Sequence, residues 1–66
     1  MSSDRSSRAD ETRANLLAAA ERLFAERGLA AVSNRQISEA AGQANNYAVG
    51  YHFGSRAELI GELLRR

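Results

Sequence analysis

The stretch "SNRQISEAAGQANNYAVGYHFGS", residues 33–55, decides how this chain folds. Ser33 stands where a helix N-cap belongs, and Gln36 falls three residues later, the spacing of a capping box. Val32 and Ile37 occupy the two positions of a hydrophobic staple. Ile37, Ala40 and Ala41 give that short helix an inner face, and Gly42 ends it. A second amphipathic segment follows after only a few residues. If Asn45 or Asn46 caps it, Val49 and Phe53 lie four apart and face inward. Tyr47 and Tyr51, also four apart, then share an outward face with Gly50 nearby. Two short helices joined at a glycine form the helix-turn-helix pattern.

The flanking segments are helical too. From about Ser7 or Arg8 to Arg27, the residues Leu16, Leu17, Ala20, Leu23, Phe24 and Arg27 recur at three- and four-residue spacing. Gly28 follows as a left-handed C′ residue, with Leu29 placed to pack back on Phe24. A final helix starts at Ser55, capped reciprocally by Glu58, and carries Leu59, Ile60, Leu63 and Leu64. There is no proline and no alternating strand pattern, so the expected class is all-α. Residues 1–7 read as a flexible polar arm, 8–66 as the domain, and about 45–52 as its second helix-turn-helix helix. The apolar pattern of the last helix is unfinished at Arg66, which suggests truncation.

Composition narrows the function classes. A chain of 66 residues is one domain at most. The absence of cysteine excludes a disulfide framework and any thiolate zinc site. No apolar run is long enough for a membrane helix or a signal-peptide core, so a cytoplasmic protein is expected. Net charge is only +1, yet all nine basic residues are arginine. Arginine's flat fork suits phosphates and guanine edges. A genome rich in arginine codons would give the same composition, so position must decide.

Catalysis finds little support. With one histidine, no cysteine and no glycine-rich phosphate loop, a nucleophile, base and orienter do not assemble. No catalytic, cofactor-binding or metal-ligating residue is expected, and the chain is not read as an enzyme. DNA binding fits better. Asn45 and Asn46 at the start of the second helix could pair with adenine. Tyr47, Tyr51 and His52 could reach phosphates or stack on sugars and thymine methyls. Arg56 adds a charge in the first turn after Ser55, and Arg35 one near the start of the preceding helix. Each residue also has a structural reading: the asparagines as cap and turn, Ser33 and Ser55 as caps, Phe53 as core, Tyr51 as core with its hydroxyl at the rim. A reading from another class is a small helical protein-interaction module using exposed Tyr47 and Tyr51. Salt separates the two, because binding through phosphates weakens steeply as salt rises.

The sequence resembles the tetracycline-repressor (TetR) family of bacterial transcription regulators. The resemblance rests on "TRANLLAAAERLFAERGLAAVSNRQISEAAG" (12–42) and "VGYHFGSRAELI" (49–60). It implies a homeodomain-like three-helix helix-turn-helix DNA-binding domain plus the start of a fourth helix. By position, Arg35 matches a base-touching site, and Asn46, Tyr47 and Ala48 match positions that read the major groove. Tyr51, His52 and Arg56 match phosphate contacts, as do Ser33 and Asn34 more loosely. Two departures stand out: Gly50 replaces a usual aromatic, and the run from Gly42 to Phe53 is one residue longer than usual. The resemblance further implies a ligand-responsive repressor that acts as a homodimer on a palindromic operator in the bacterial cytoplasm. The small-molecule inducer would bind a C-terminal dimerisation domain absent from this chain. Alone, the chain is expected to be mainly monomeric and to bind DNA weakly, because linking two modules raises effective concentration. Sedimentation at micromolar concentration checks this, and a tight dimer would contradict it.

Overall fold

Gly42 sets the turn on which the fold hinges. In the computed structural model, which describes residues 4–66 and their side chains from Arg8 onward, Gly42 has φ 77°. Glycine takes that left-handed value without a Cβ clash. The N–H of Gln43 thereby reaches the carbonyl of Ser38 at 2.9 Å, and that of Gly42 reaches Glu39 at 3.0 Å. This pair of bonds is a Schellman closure, which satisfies the last carbonyls of the helix.

The elements are α1 (Asp4–Arg27), a 3-10 turn (Leu29–Ala31), α2 (Asn34–Ala40), α3 (Ala48–Phe53) and α4 (Arg56–Arg65). No strand occurs among the described residues, so the all-α helix-turn-helix with a fourth helix is the fold. α1 starts at Asp4, earlier than the apolar stripe suggested, so residues 4–7 of the expected arm have helical backbone. Residues 1–3 of that arm lie outside the described residues.

All four α-helices contribute to one core, joined by Val32 after the 3-10 turn. α1 supplies Leu16, Ala19, Ala20 and Leu23; Val32 and Ile37 follow, then Ala48, Val49 and Phe53 from α3 and Leu59 from α4. Leu17, Phe24, Ala41, Ile60 and Leu63 pack around its edge. The capping box of α2 is complete, with Ser33 Oγ accepting from the Gln36 N–H at 3.1 Å and Gln36 Oε1 accepting from the Ser33 N–H at 2.9 Å. At α4 only half of the expected box forms: Ser55 Oγ accepts from the Glu58 N–H at 3.2 Å.

Several details differ from the sequence expectation. Ala40 is exposed, and Ser38 takes the inner position of α2. Its hydroxyl, fully buried, donates to the Asn46 carbonyl at a long 3.5 Å. Leu29 is half exposed instead of packing back as a C-terminal anchor, because the 3-10 turn carries the chain away from the α1 axis. α3 begins at Ala48 rather than near Asn45, and ends one residue later than expected.

Arg13 ties the last two helices to α1. Its guanidinium donates to the His52 carbonyl at the end of α3 and to the Glu62 carboxylate of α4. The same group lies 4.4 Å from the centroid of the Phe53 ring. The positive charge thus sits against an otherwise unpaired helix C-terminal carbonyl, where the helix dipole favours it.

Phe53 lies under this joint and is 8% exposed. Phe53→Ala is expected to cost about 3–5 kcal/mol, whereas Tyr51→Ala on the opposite face should change stability by less than about 0.5 kcal/mol. Urea unfolding of the two variants checks the contrast. Equal effects would mean the inward and outward faces of α3 are assigned wrongly.

Candidate nucleic-acid interface

α3 divides its residues sharply between two environments. Ala48 and Val49 are buried, while Tyr47 and Tyr51 are 81% and 79% exposed. The two rings lie one helical turn apart on the same side, as their four-residue spacing requires. Tyr51 meets the His52 ring edge-on, with centroids 5.0 Å apart and planes at 88°. Aromatic rings favour that geometry because a positive edge meets a negative face.

The two asparagines before α3 play different parts. Asn45 Oδ1 accepts from the Tyr47 N–H at 2.8 Å, a side-chain turn that shapes the entry to the helix. Asn46 is exposed, and its side-chain amide has no hydrogen bond among the described residues. Tyr47, not an asparagine, is the N-cap residue, and it makes no side-chain cap bond. Residues 43–47 thus form the turn ahead of the helix.

The remaining candidates lie on α2 and α4. Ser33 uses its hydroxyl as a cap. Arg35 is exposed and pairs through Nε with Glu39 Oε2 at 3.2 Å, an i,i+4 surface pair worth only a few tenths of a kcal/mol. Arg56 is more deeply engaged. Its Nη1 donates to Asn34 Oδ1 at 3.1 Å, its Nη2 donates to the Leu29 carbonyl, and the guanidinium is 5.3 Å from the Phe24 ring centroid. The start of α4 is thus fastened to the start of α2 and to the end of α1.

Ala48 departs from its expected role. At 2% exposure it is a core residue and presents nothing to a groove. It precedes Val49 directly and shares the buried side of α3 with Val49 and Phe53. Sequence reasoning passed over Arg13, Glu62 and Ser38. The Arg13 bonds span 39 and 49 residues, so no local pattern announces them. Ser38 carried a weak signal, since it follows Ile37 and precedes the turn by four residues.

What remains exposed is an amide at Asn46, two phenol groups, and the guanidinium of Arg35. This set can donate to phosphates and base edges and can stack on sugars and methyls. Among the described residues there is no cavity and no group of three or more metal-binding side chains. No described helix is long and apolar enough to cross a membrane.

Comparison with known proteins agrees with this geometry. Residues 16–63 match the family model described as bacterial regulatory proteins, tetR family. The chain is 45% identical over 56 residues to the HTH-type transcriptional regulator TtgR of Pseudomonas putida, covering 85% of this chain and 26% of that protein. It is 43% identical over 53 residues to the HTH-type transcriptional repressor KstR2 of Mycobacterium tuberculosis, covering 80% of this chain and 26% of that protein. The chain therefore spans about a quarter of the length of these relatives. No solved structure matches.

The Arg56 contacts generate a stability prediction. Arg56→Ala removes two hydrogen bonds and a ring contact, and should cost about 1–2 kcal/mol. Arg56→Lys should recover only part of this, because an ammonium cannot reproduce a flat two-armed contact. Thermal unfolding in the absence of DNA checks both. An unchanged Arg56→Ala would mean these bonds contribute nothing to the fold.

Proposed function

The chain belongs to the tetR family of bacterial regulatory proteins, and we propose that it reads one half-site of an operator with the N-terminal end of α3. Its function class is DNA-binding transcription regulation. The reading beyond that class is a sequence-specific, ligand-responsive repressor, with this chain as its N-terminal domain. The name of the mycobacterial relative supports repression. The protein acts in the cytoplasm as a binding module and not as an enzyme. The full-length protein would pair as a homodimer on a palindrome, with its inducer bound outside this domain.

A single observation carries the reading at the site. α3 buries Ala48, Val49 and Phe53 while holding Tyr47 and Tyr51 almost fully in solvent. Large aromatic groups so exposed on the second helix of a helix-turn-helix suit a groove-facing surface. Asn46 and Tyr47, helped by Arg35, contact base edges. Tyr51 and His52 hold the sugar–phosphate backbone, with Asn34 and the unused N–H groups of Arg56 behind them. Ser33 adds a backbone contact at the start of α2. Asn45 shapes the turn, and a bidentate adenine contact from it would compete with its bond to Tyr47. Asn46 is therefore the amide reader.

Selection of bound duplexes from a random pool tests the activity and yields the preferred site. On that site Asn46→Ala should cost about 1–3 kcal/mol and relax preference at one base pair. Tyr51→Ala should weaken binding to all sequences alike. Fluorescence anisotropy against single-base variants separates the two patterns. If no duplex is enriched over the random pool, sequence-specific reading is wrong. An affinity that barely responds to salt would instead favour a protein partner for the tyrosine face.

A further inference from the structure

Gly50 is a glycine that the fold itself does not require. It lies within α3 and is exposed. Its φ is not among the positive values, which belong to Gly28, Gly42 and Gly54, so its backbone is one that any residue can adopt. A Cβ built on it would meet nothing within 4 Å. Neither conformation nor internal packing explains it. Glycine nevertheless weakens a helix relative to alanine, and α3 has only six residues over which to spread that loss.

Its neighbours suggest what lies outside. Tyr47 is three residues before and Tyr51 one residue after, and the helical spacing puts all three on the exposed side. Bare backbone at Gly50 is thus flanked by two aromatic side chains that are each about four-fifths exposed. Glycine is the residue that permits close approach of backbone to a ligand. Gly50 also lies C-terminal to Asn46 and Tyr47, toward the part of a helix-turn-helix reader that faces phosphates more than base edges.

We propose that Gly50 is a contact position: one sugar–phosphate unit of the DNA seats against the α3 backbone there, between the Tyr47 and Tyr51 side chains. This rests on the DNA-reading assignment above. Filling the notch would hold that sugar–phosphate unit away from the helix and loosen the neighbouring Tyr51 contact with the DNA backbone. The effect would be independent of base sequence, since the seated group is common to every nucleotide. It would also be nearly independent of salt, since no charge changes.

The proposal makes stability and binding move in opposite directions on one substitution. Gly50→Ala should raise Tm by about 2–8 °C, from the helix propensity gained. The same variant should lose at least about tenfold in affinity for the selected duplex, by a similar factor on single-base variants, with the salt slope unchanged. Calorimetry and anisotropy on the 66-residue chain measure the two quantities. Equal or tighter binding by Gly50→Ala would overturn the proposal while leaving DNA reading intact. A loss confined to one base pair would overturn the sugar–phosphate assignment. A lowered Tm would show that the fold needs this glycine and remove the premise. If the unsubstituted chain enriches no duplex, both readings fall, which distinguishes that failure from the others.

Discussion

A helix of six residues does not stand by itself in water, and α3 is such a helix. Isolated helices shorter than about 12–15 residues are marginal because nucleation fixes several residues before hydrogen bonds repay the loss. α3 therefore exists only where tertiary contacts hold it. Val49 and Phe53 anchor it on α1, Asn45 shapes its entry, and Arg13 closes its exit at the His52 carbonyl. All of this support acts on one side and at the two ends. The outward side is left free of internal duties, which is why Tyr47, Gly50 and Tyr51 can present themselves to a partner.

The arginines gain a meaning from position that composition could not supply. Arg13 bridges a carbonyl, a carboxylate and the Phe53 ring, and Arg56 bridges a carbonyl, an amide and the Phe24 ring. Each uses the flat face and the two arms of the guanidinium together, and an ammonium offers neither. Whatever codon preference contributes, these two sites use arginine's shape. The consequence for binding is that part of the positive charge is committed inside the domain. Arg56 in particular serves as a structural tie between α4 and α2, besides being proposed as a phosphate contact.

The helix-turn-helix was legible because its signals are local. A capping box, a staple, a glycine at the turn and two pairs of residues at four-residue spacing each involve neighbours in the chain. Those signals specify that α2 and α3 exist and which faces are apolar. They are weaker on boundaries. Asn45 and Asn46 both suit a cap, and only the backbone path before α3 assigns the Asn45 side chain to the turn and leaves the Asn46 amide without a bond among the described residues. Ala48 illustrates the same limit, since a position expected on the groove face is a core residue at 2% exposure.

The sequence by itself determined the all-helical class, the family resemblance, the inward pair Val49 and Phe53, and the outward pair Tyr47 and Tyr51. It did so because hydrophobic periodicity and caps act over three or four residues. Tertiary structure alone decided that Ser38 is buried, that Arg13 locks α3 and α4 to α1, and that Arg56 is tied to Asn34 and Leu29. It also decided that no internal neighbour explains Gly50. These are facts about residues far apart in the chain, or about empty space. Local spacing carries neither, because each depends on where folding brings the other helices.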